Sequence, residues 1–507
     1  MPTPRVRASR FVVALGAVTA ALLGASVLPA APAPSRPTTA APSSPSGPTL
    51  RGTRGPSAPL HAAGRWTVDR YGRVVVLHGV NRVAKAAPYA PEAFGFGPDD
   101  LAFLADHGLN VVRLGVDFRG LMPTPGVVDH AYLDALERTV DAAAAERIFV
   151  LLDFHQDGFG PLVHGNGFPE WMTITDGLDN PPVPFPLYYI GNPALQRAFE
   201  NFWTNRLGPD GVGIQDSFLR GFDAVVRRFG GDRWVAGYEL MNEPWPGADW
   251  ASCADATGCP ELEAERLVPF AQRAERIVRR HSPGQLLAVE PFVLFNFGQG
   301  PTTMPGLAPG RAMLATHSYA LSVAGEEAVV RLTNEAADAQ SVPAIITEFG
   351  ASTSVALADR LADQFDAGRL SWIFWEYAES LIGDEHEPAG LDNLANPAAF
   401  AALARPFPSA IAGTPIGWAF DDEHTVFELV YDRVLPRGSL ADPALATVIS
   451  VPRLHYPNGY RVVAIGARVV SAPCSEELVV RPRRGARYIA VRVEPATDTA
   501  TCEPVGA

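Results

Sequence analysis

The pattern of apolar and polar positions divides the chain into two styles. From residue 60 to about 408, short apolar runs alternate with longer stretches of helical periodicity, the pattern of βα units on a parallel sheet. Eight runs read as strands: Val74 to Val80, Asn110 to Leu114, Ile148 to Phe154, Val235 to Met241, Leu286 to Val289, Met313 to His317, Ala344 to Thr347 and Leu370 to Trp375. Between them Asp99 to His107, Ala131 to Ala145, Gln215 to Phe229, Leu262 to His281 and Val355 to Gln364 read as helices. Eight such units predict a (β/α)₈ barrel with insertions. An open doubly wound sheet is disfavoured, because no glycine-rich nucleotide fingerprint follows the first strand.

Past Arg405-Pro406-Phe407-Pro408 and Gly413-Thr414-Pro415 the period changes. Thr425 to Tyr431, Ala446 to Val451, Tyr460 to Ile465, Leu478 to Arg481 and Tyr488 to Val493 are short, β-branched and separated by turn residues, which predicts a C-terminal β-sandwich over 409–507 after a barrel over 60–408. Residues 31–59 are Pro, Ala, Ser and Thr with almost no large apolar side chain, a composition that cannot offset the entropy of ordering and predicts a disordered linker. Residues 1–30 carry Arg5, Arg7 and Arg10 before the apolar stretch Phe11 to Leu28 and then small residues and prolines, which predicts a secretory signal and an extracellular protein. A transmembrane anchor is the competing reading of that stretch.

The chain has 507 residues, of which 47% are hydrophobic, so a large core is available. Its formal charge of −14 argues against nucleic acid or an anionic surface as a partner held by charge. The four cysteines of an exported chain read as disulfides, Cys253 with Cys259 and Cys474 with Cys502 by proximity. Neither a CxxC pair nor clustered histidines support zinc, and no metal or organic cofactor is implied.

The strand ends carry polar groups that a structural strand would not need. The first is followed by Asn81 and Lys85, the second holds Arg113, the third gives Asp153, His155 and Asp157, the fourth Asn242 and Glu243, the sixth His317 and Tyr319, the seventh Glu348 and the eighth Trp375 and Glu376. In a parallel barrel these ends converge on one face. Two acids there, Glu243 and Glu348, fit the needs of glycoside cleavage, in which one carboxyl protonates a leaving oxygen and the other attacks or stabilises the sugar carbon.

An Arg, a His, an Asn-Glu pair, a His-x-Tyr, a Glu and a Trp in this order resemble glycoside hydrolase family 5, a retaining family with this barrel. The resemblance implies Glu243 as acid/base and Glu348 as nucleophile, with Arg113 and Tyr319 keeping Glu348 charged, Asn242 bonding the sugar 2-hydroxyl, His317 tuning Glu243 and Trp375 forming the floor of the sugar site. His78 to Lys85, Asp153 to Asp157, Asn166 to Trp171 and Asn242 to Gly247 are similar to the endoglycoceramidase group, which cuts between glycan and ceramide. That similarity implies Lys85, His155 and Asp157 as sugar-binding residues and a glycolipid as the substrate, with transient contact to a membrane or micelle. Lys85-Ala86-Ala87-Pro88-Tyr89 is closer to the galactosylceramide branch. The apolar connection between Asp157 and Asn192 reads either as a loop with its own core or as a wall for the lipid, and Phe292 to Phe297 could extend that wall. The rival functions are a family 5 glucanase or mannanase acting on polysaccharide and a non-catalytic glycolipid-binding protein. A monomer is the expected state.

Overall fold

The computed structural model describes residues 51–304, 307–352 and 354–496. Eight parallel strands close into a barrel in chain order. They are β1 (His78–Arg82), β2 (Val111–Asp117), β3 (Phe149–His155), β4 (Val235–Glu239), β5 (Leu286–Val289), β6 (Ala312–Ser318), β7 (Ala344–Phe349) and β8 (Ser371–Phe374), which pairs back onto β1. Alternate residues of a strand point to opposite faces, and here the two faces serve different cores. Val112, Leu114, Leu152, Leu287, Leu314 and Ile346 meet the surrounding helices. Val111, Leu151, Ala288, Ala315, Ile345 and Ile373 fill the barrel interior.

One more alternation step toward the C-terminal end changes the chemistry. Val111 is followed two residues on by Arg113, Leu151 by Asp153, Ala288 by Glu290, Ala315 by His317, Ile345 by Thr347 and Ile373 by Trp375. The interior is therefore apolar below and charged above. β1 contributes Leu77, Gly79 and Asn81 to the same series, and a Cβ at Gly79 would lie 1.8 Å from the Val111 carbonyl oxygen, so only glycine lets these two strands meet. In β7 the register against β6 shifts between Ile346 and Glu348, setting Glu348 opposite His317. A bulge of this kind adds a residue and re-aims a side chain, and it lets both Thr347 and Glu348 reach the polar layer.

The sandwich is built from both ends of the chain, which corrects the division at 60 and 408. One sheet has the order His61–Ala63, Trp66–Val68, Val74–Val75, Phe407–Ile411, Thr447–Ser450, Glu477–Pro482, Ala467–Val469. The other runs Thr414–Asp421, Val426–Asp432, Tyr488–Pro495, Tyr460–Ile465. The expected strand Val74 to Val80 is thus two strands in two sheets. Parity explains why it reads as one: Val74 and Val76 enter the sandwich core with Phe407, Trp418 and Leu429, while Val75 and Leu77 enter the barrel interior. Both faces are buried, so the run is continuously apolar.

Residues 51–59, expected as linker, are ordered against the body. The buried Arg73 guanidinium donates to the carbonyls of Gly52 at 2.7 Å and Gly55 at 3.0 Å and pairs with Asp69 at 2.7 Å. Ala58, Leu60 and Ala62 join the interior core and close the barrel floor. Residues 1–50, with the expected signal and most of the linker, lie outside the described residues, as does Cys502; Cys253 and Cys259 form a disulfide. Among the described residues no helix is long and apolar enough to cross a membrane.

Other elements depart from the pattern for local reasons. The run Leu262 to His281 is interrupted by a π-helical turn at Glu263–Leu267 before the helix Val268–His281, because Pro269 supplies no N–H to the preceding turn. The helix Val323–Gln340 is built largely of alanine and charged residues, so its buried stripe of Val329, Leu332 and Ala336 gives a weak period.

Barrel and sandwich meet at Arg405, which is 1% exposed and pairs with Asp363 at 2.8 Å, Asp359 at 3.1 Å and Asp366 at 3.6 Å on the helix Val355–Gly368. Beside it His78 stacks between Trp372 and Phe407, with centroids at 4.0 and 3.9 Å. Removing one partner of a fully buried pair leaves uncompensated charge, but here only Asp366 is buried while Asp363 is 46% exposed, so losing the charged hydrogen bonds costs about 1.5–3 kcal/mol. Arg405→Ala should therefore lower stability by about that amount, measured by denaturant unfolding, whereas an unchanged midpoint would show that the junction does not depend on this pairing.

Candidate active site

The polar layer is organised by Arg113, which is fully buried. Its Nε donates to Glu239 Oε2 at 2.6 Å, Nη1 to Glu348 Oε1 at 2.5 Å and Asn81 Oδ1 at 3.0 Å, and Nη2 to Asn242 Oδ1 at 2.7 Å. Nη2 also lies 3.1 Å from Asp153 Oδ1 and 3.6 Å from Glu290 Oε1. Burial would pull the guanidinium pKa down, but the acids around it more than offset that and hold it well above its ordinary value. A planar fork with five donors can satisfy this many strands at once, which a lysine could not. Asn81 adds a second tie, its Nδ2 donating to the carbonyls of Thr347 at 2.9 Å and Phe374 at 3.2 Å.

Glu243 and Glu348 face each other across this layer. One oxygen of each and one nitrogen of His317 all lie within 4.8 Å of one another. Their partners differ. Glu348 accepts from the Arg113 guanidinium and from the Tyr319 hydroxyl at 2.8 Å. Burial is the largest influence on Glu348 and raises its pKa, while His317 and Arg113 pull against it and Glu243 adds to it. Glu243 Oε1 accepts from Asn296 Nδ2 at 2.9 Å and lies 2.9 Å from His317 Nδ1. Burial alone would lower the His317 pKa, but Glu290 and Glu348 hold it well above the ordinary histidine value, which favours the charged ring.

The backbone at Glu243 is in the left-handed region, with φ of 40°. For a residue with a Cβ this costs about 1–2 kcal/mol, and Pro244 after it further disfavours the helical alternative. The strain is held by Gln156, whose Nε2 donates to the carbonyls of Asn242 at 2.7 Å and Glu243 at 3.0 Å, and by the Glu243 N–H on Glu290 Oε2 at 3.3 Å. Strained residues persist where the surroundings over-determine them, as at functional sites.

A second cluster adjoins the first. Lys85 Nζ lies 2.8 Å from Asp157 Oδ2 and 4.4 Å from the centroid of Trp375, which is half-buried. His155 stacks on Trp375 at 5.1 Å and 13°, with Nδ1 on Asp153 Oδ2 at 2.7 Å and Nε2 3.4 Å from Asp157 Oδ2. Asp153 thus touches both His155 and Arg113 and joins the clusters. Burial would raise the Asp157 pKa, but Lys85 and His155 more than offset it and hold it well below the usual carboxylate range. The ten residues to which the family resemblance gives roles converge on this face.

Some contributors were not singled out. Glu290 directly follows β5 and would have been found by reading that strand end like the others; burial pushes its pKa well above the usual range. Asn296 stands alone as a polar residue in the apolar run Phe292 to Phe297, seven residues beyond β5, where a strand-end rule does not look. That run is not a free apolar wall: Phe292 and Val293 enter the main core and Phe295 packs on Val329 and Leu332. The connection before Asn192 has two sides. Tyr188 and Tyr189 are buried in the main core, with Tyr189 on Trp245 at 5.1 Å, whereas Phe185, Leu187 and Ile190 are 65%, 54% and 45% exposed. Glu239, Glu290 and His317 also bring three ligand-type atoms within 4.8 Å, but Arg113 bonds Glu239 and pairs with Glu290, so donors already occupy the positions a cation would take.

Burial would lower the His155 pKa, but Asp157 and Asp153 raise it to about 9 in the folded protein. A raised pKa contributes stability that is present below the unfolded value near 6.5 and is lost as pH rises through about 9. Thermal stability should therefore fall between about pH 6.5 and 9, and in Asp157→Asn the fall should be smaller and finish at lower pH. Melting curves across that range check this, and identical profiles for the two proteins would remove Asp157 as the cause.

The family described as cellulase (glycosyl hydrolase family 5) matches residues 96–380, and the glycoside hydrolase family 5 C-terminal domain matches residues 405–493. The chain is 34% identical over 441 residues to endoglycoceramidase I of Rhodococcus hoagii (strain 103S), covering 82% of this chain and 85% of the relative. It is 28% identical over 435 residues to an endoglycoceramidase of Hydra vulgaris, covering 78% and 80%. Among solved structures, endo-glycoceramidase II from Rhodococcus sp. in its ganglioside GM3 complex aligns with a TM-score of 0.69 at 28% identity, over 85% of this chain and 99% of that one. An endogalactoceramidase aligns at 0.67 with 23% identity, over 87% and 100%, a likeness of fold. A barrel that gathers two acids under a buried arginine, followed by the matching C-terminal domain, makes this chain a glycoside hydrolase belonging to family 5.

Proposed function

We propose that the protein is an exported, retaining endo-β-glycosidase that hydrolyses the linkage between glycan and ceramide in glycosphingolipids. The observation that carries the chemistry is the closeness and inequality of Glu243 and Glu348. Retaining pairs stand about 5–5.5 Å apart and inverting pairs about 6.5–9.5 Å, to leave room for a water. One oxygen of each acid lies within 4.8 Å of the other, a closest approach compatible with the narrower spacing.

In the first step Glu348 attacks the anomeric carbon. The bond to the ceramide oxygen breaks, Glu243 gives its proton to that oxygen, and a glycosyl ester forms on Glu348. In the second step Glu243 takes a proton from water, which attacks the same carbon and frees Glu348. Burial leaves the Glu348 pKa raised, but the Arg113 and Tyr319 donors oppose it and favour the charged form, which supports the nucleophile's part for this acid. Asn242 spends Oδ1 on Arg113 and one Nδ2 hydrogen on the Gln156 carbonyl at 2.9 Å, so its second hydrogen is the group for the sugar 2-hydroxyl. Trp375 offers a face to the sugar ring, and Lys85, His155 and Asp157 offer hydroxyl partners beside it.

The glycolipid substrate is supported by the similarity to endoglycoceramidases and by the connection before Asn192. Tyr188 and Tyr189 lie close enough to Asp157 and Glu243 to feel their charge, so this apolar segment borders the cleft where an aglycone leaves. A galactosyl preference is supported by Lys85-Ala86-Ala87-Pro88-Tyr89, and export by Arg5, Arg7 and Arg10 before Phe11 to Leu28.

Incubation with glucosylceramide, galactosylceramide, a ganglioside and carboxymethylcellulose should release sugar from a glycolipid, with galactosylceramide preferred over glucosylceramide; release from the polymer alone would sink the lipid assignment. Glu348→Gly should lose at least about 10³-fold in kcat, and added azide should restore turnover with a glycosyl azide of inverted configuration as product. Near-normal activity in that variant would take Glu348 out of the mechanism.

A further inference from the structure

We propose that Asn296 is a positioning residue that decides which oxygen of Glu243 carries the proton. The inference deepens the acid/base reading of Glu243 and rests on it. Asn296 sits in the 3₁₀ turn Val293–Phe297 after β5 and is 1% exposed. Its amide orientation is settled by the network around it. The backbone N–H of His317 can only donate, and it points at Asn296 Oδ1 at 3.3 Å, so the group facing Glu243 Oε1 at 2.9 Å is the Nδ2 amine. The Asn296 carbonyl accepts from the Tyr319 N–H at 3.0 Å. One residue thus holds the end of β6 at positions 317 and 319 and aims a donor at the acid.

Oε1 of Glu243 therefore faces Asn296 Nδ2 and His317 Nδ1, each at 2.9 Å, and the His317 ring, with carboxyl oxygens beside both of its nitrogens, meets Oε1 as a second donor. An oxygen that accepts two hydrogen bonds is a poor site for the proton, because an O–H there would oppose both donors. The proton is left to Oε2, which neither donor reaches. A general acid works only when the oxygen holding the proton is the one within reach of the leaving atom. His317 alone does not enforce this, because its Nδ1 also lies 3.5 Å from Glu348 Oε2 and can turn toward the other acid. Asn296, fixed by two backbone bonds, cannot follow it.

The test is Asn296→Asp, which keeps an acceptor for the His317 N–H and replaces the donor at Glu243 by an acceptor of the same shape. An alkyl glycoside with a ceramide-like aliphatic leaving group needs the acid, and a dinitrophenyl glycoside of the same sugar does not. Asn296→Asp should lower kcat/KM at least about tenfold more for the first substrate than for the second. The basic limb of its kcat/KM profile should move up by about half a pH unit or more, since losing a donor to the carboxylate disfavours the charged form. The other titratable groups facing Glu243 are His317 from β6, Tyr319 just after it, Glu348 from β7, Glu290 after β5 and Tyr188 and Tyr189 from the connection before Asn192, and all are retained. Asn296→Ser, too short to reach Oε1, should show the same substrate split if the aspartate variant folds poorly. Equal losses on the two substrates, or a basic limb that stays or falls, would reduce Asn296 to a structural clamp. Glu243→Gln, run in parallel, separates the two readings: if it fails to discriminate between the leaving groups the acid assignment itself falls, and if it discriminates while both Asn296 variants do not, only the role of Asn296 falls.

Discussion

The site depends on burying one guanidinium. Arg113 has no exposed surface and reaches groups from β1, β3, β4, β7 and the turns after β4 and β5, so every strand that supplies an acid is referred to the same cation. Bringing an arginine out of water costs several kcal/mol, and a single surface-type pair would not offset that. Several charge-assisted bonds at 2.5–3.1 Å in a dry interior do, and they leave the acids with fixed positions. The apolar plug beneath, from Val111 to Ile373, keeps the dielectric low enough for those bonds to count.

The same low dielectric makes two nearby carboxyl groups unequal. With Glu243 and Glu348 this close, like charges on both would repel at short range. Arginine and tyrosine donors face one acid, and an asparagine and a histidine face one oxygen of the other, so the network separates their parts before a substrate arrives. The left-handed backbone at Glu243 is tolerated because Gln156 and Glu290 hold the peptide on both sides. Preorganisation of this kind, donors fixed where charge will change, is the larger share of what such a site can contribute.

The eight strands were legible because a βα barrel needs apolar runs of similar length at regular intervals, and the ten candidate residues were legible because each interrupts or closely follows such a run where a barrel places its open face. Other features were hidden for physical reasons. Val74 to Leu77 reads as part of one strand because its two faces are buried in two different cores, a fact that apolar periodicity alone cannot report. The hairpin from His61 to Val68 takes its place through pairing that leads on to Phe407–Ile411, more than three hundred residues away. Glu290 was readable and passed over, whereas Asn296 was not, since only the turn after β5 brings it back over the cleft.

The order of the parts is written along the chain: which strand carries an arginine, which leads to an acid, and which apolar residues lie beneath them, because alternation along a strand is a local property of the backbone. Which atoms meet depends instead on the folded barrel. The bulge in β7 sets Glu348 beside His317, closure of β8 on β1 brings Asn81 onto Thr347 and Phe374, and the return of Asn296 selects one oxygen of Glu243. These contacts join residues far apart in the chain through the closure of a ring of strands, and nothing in the spacing of residues along one strand specifies how its neighbours will be registered.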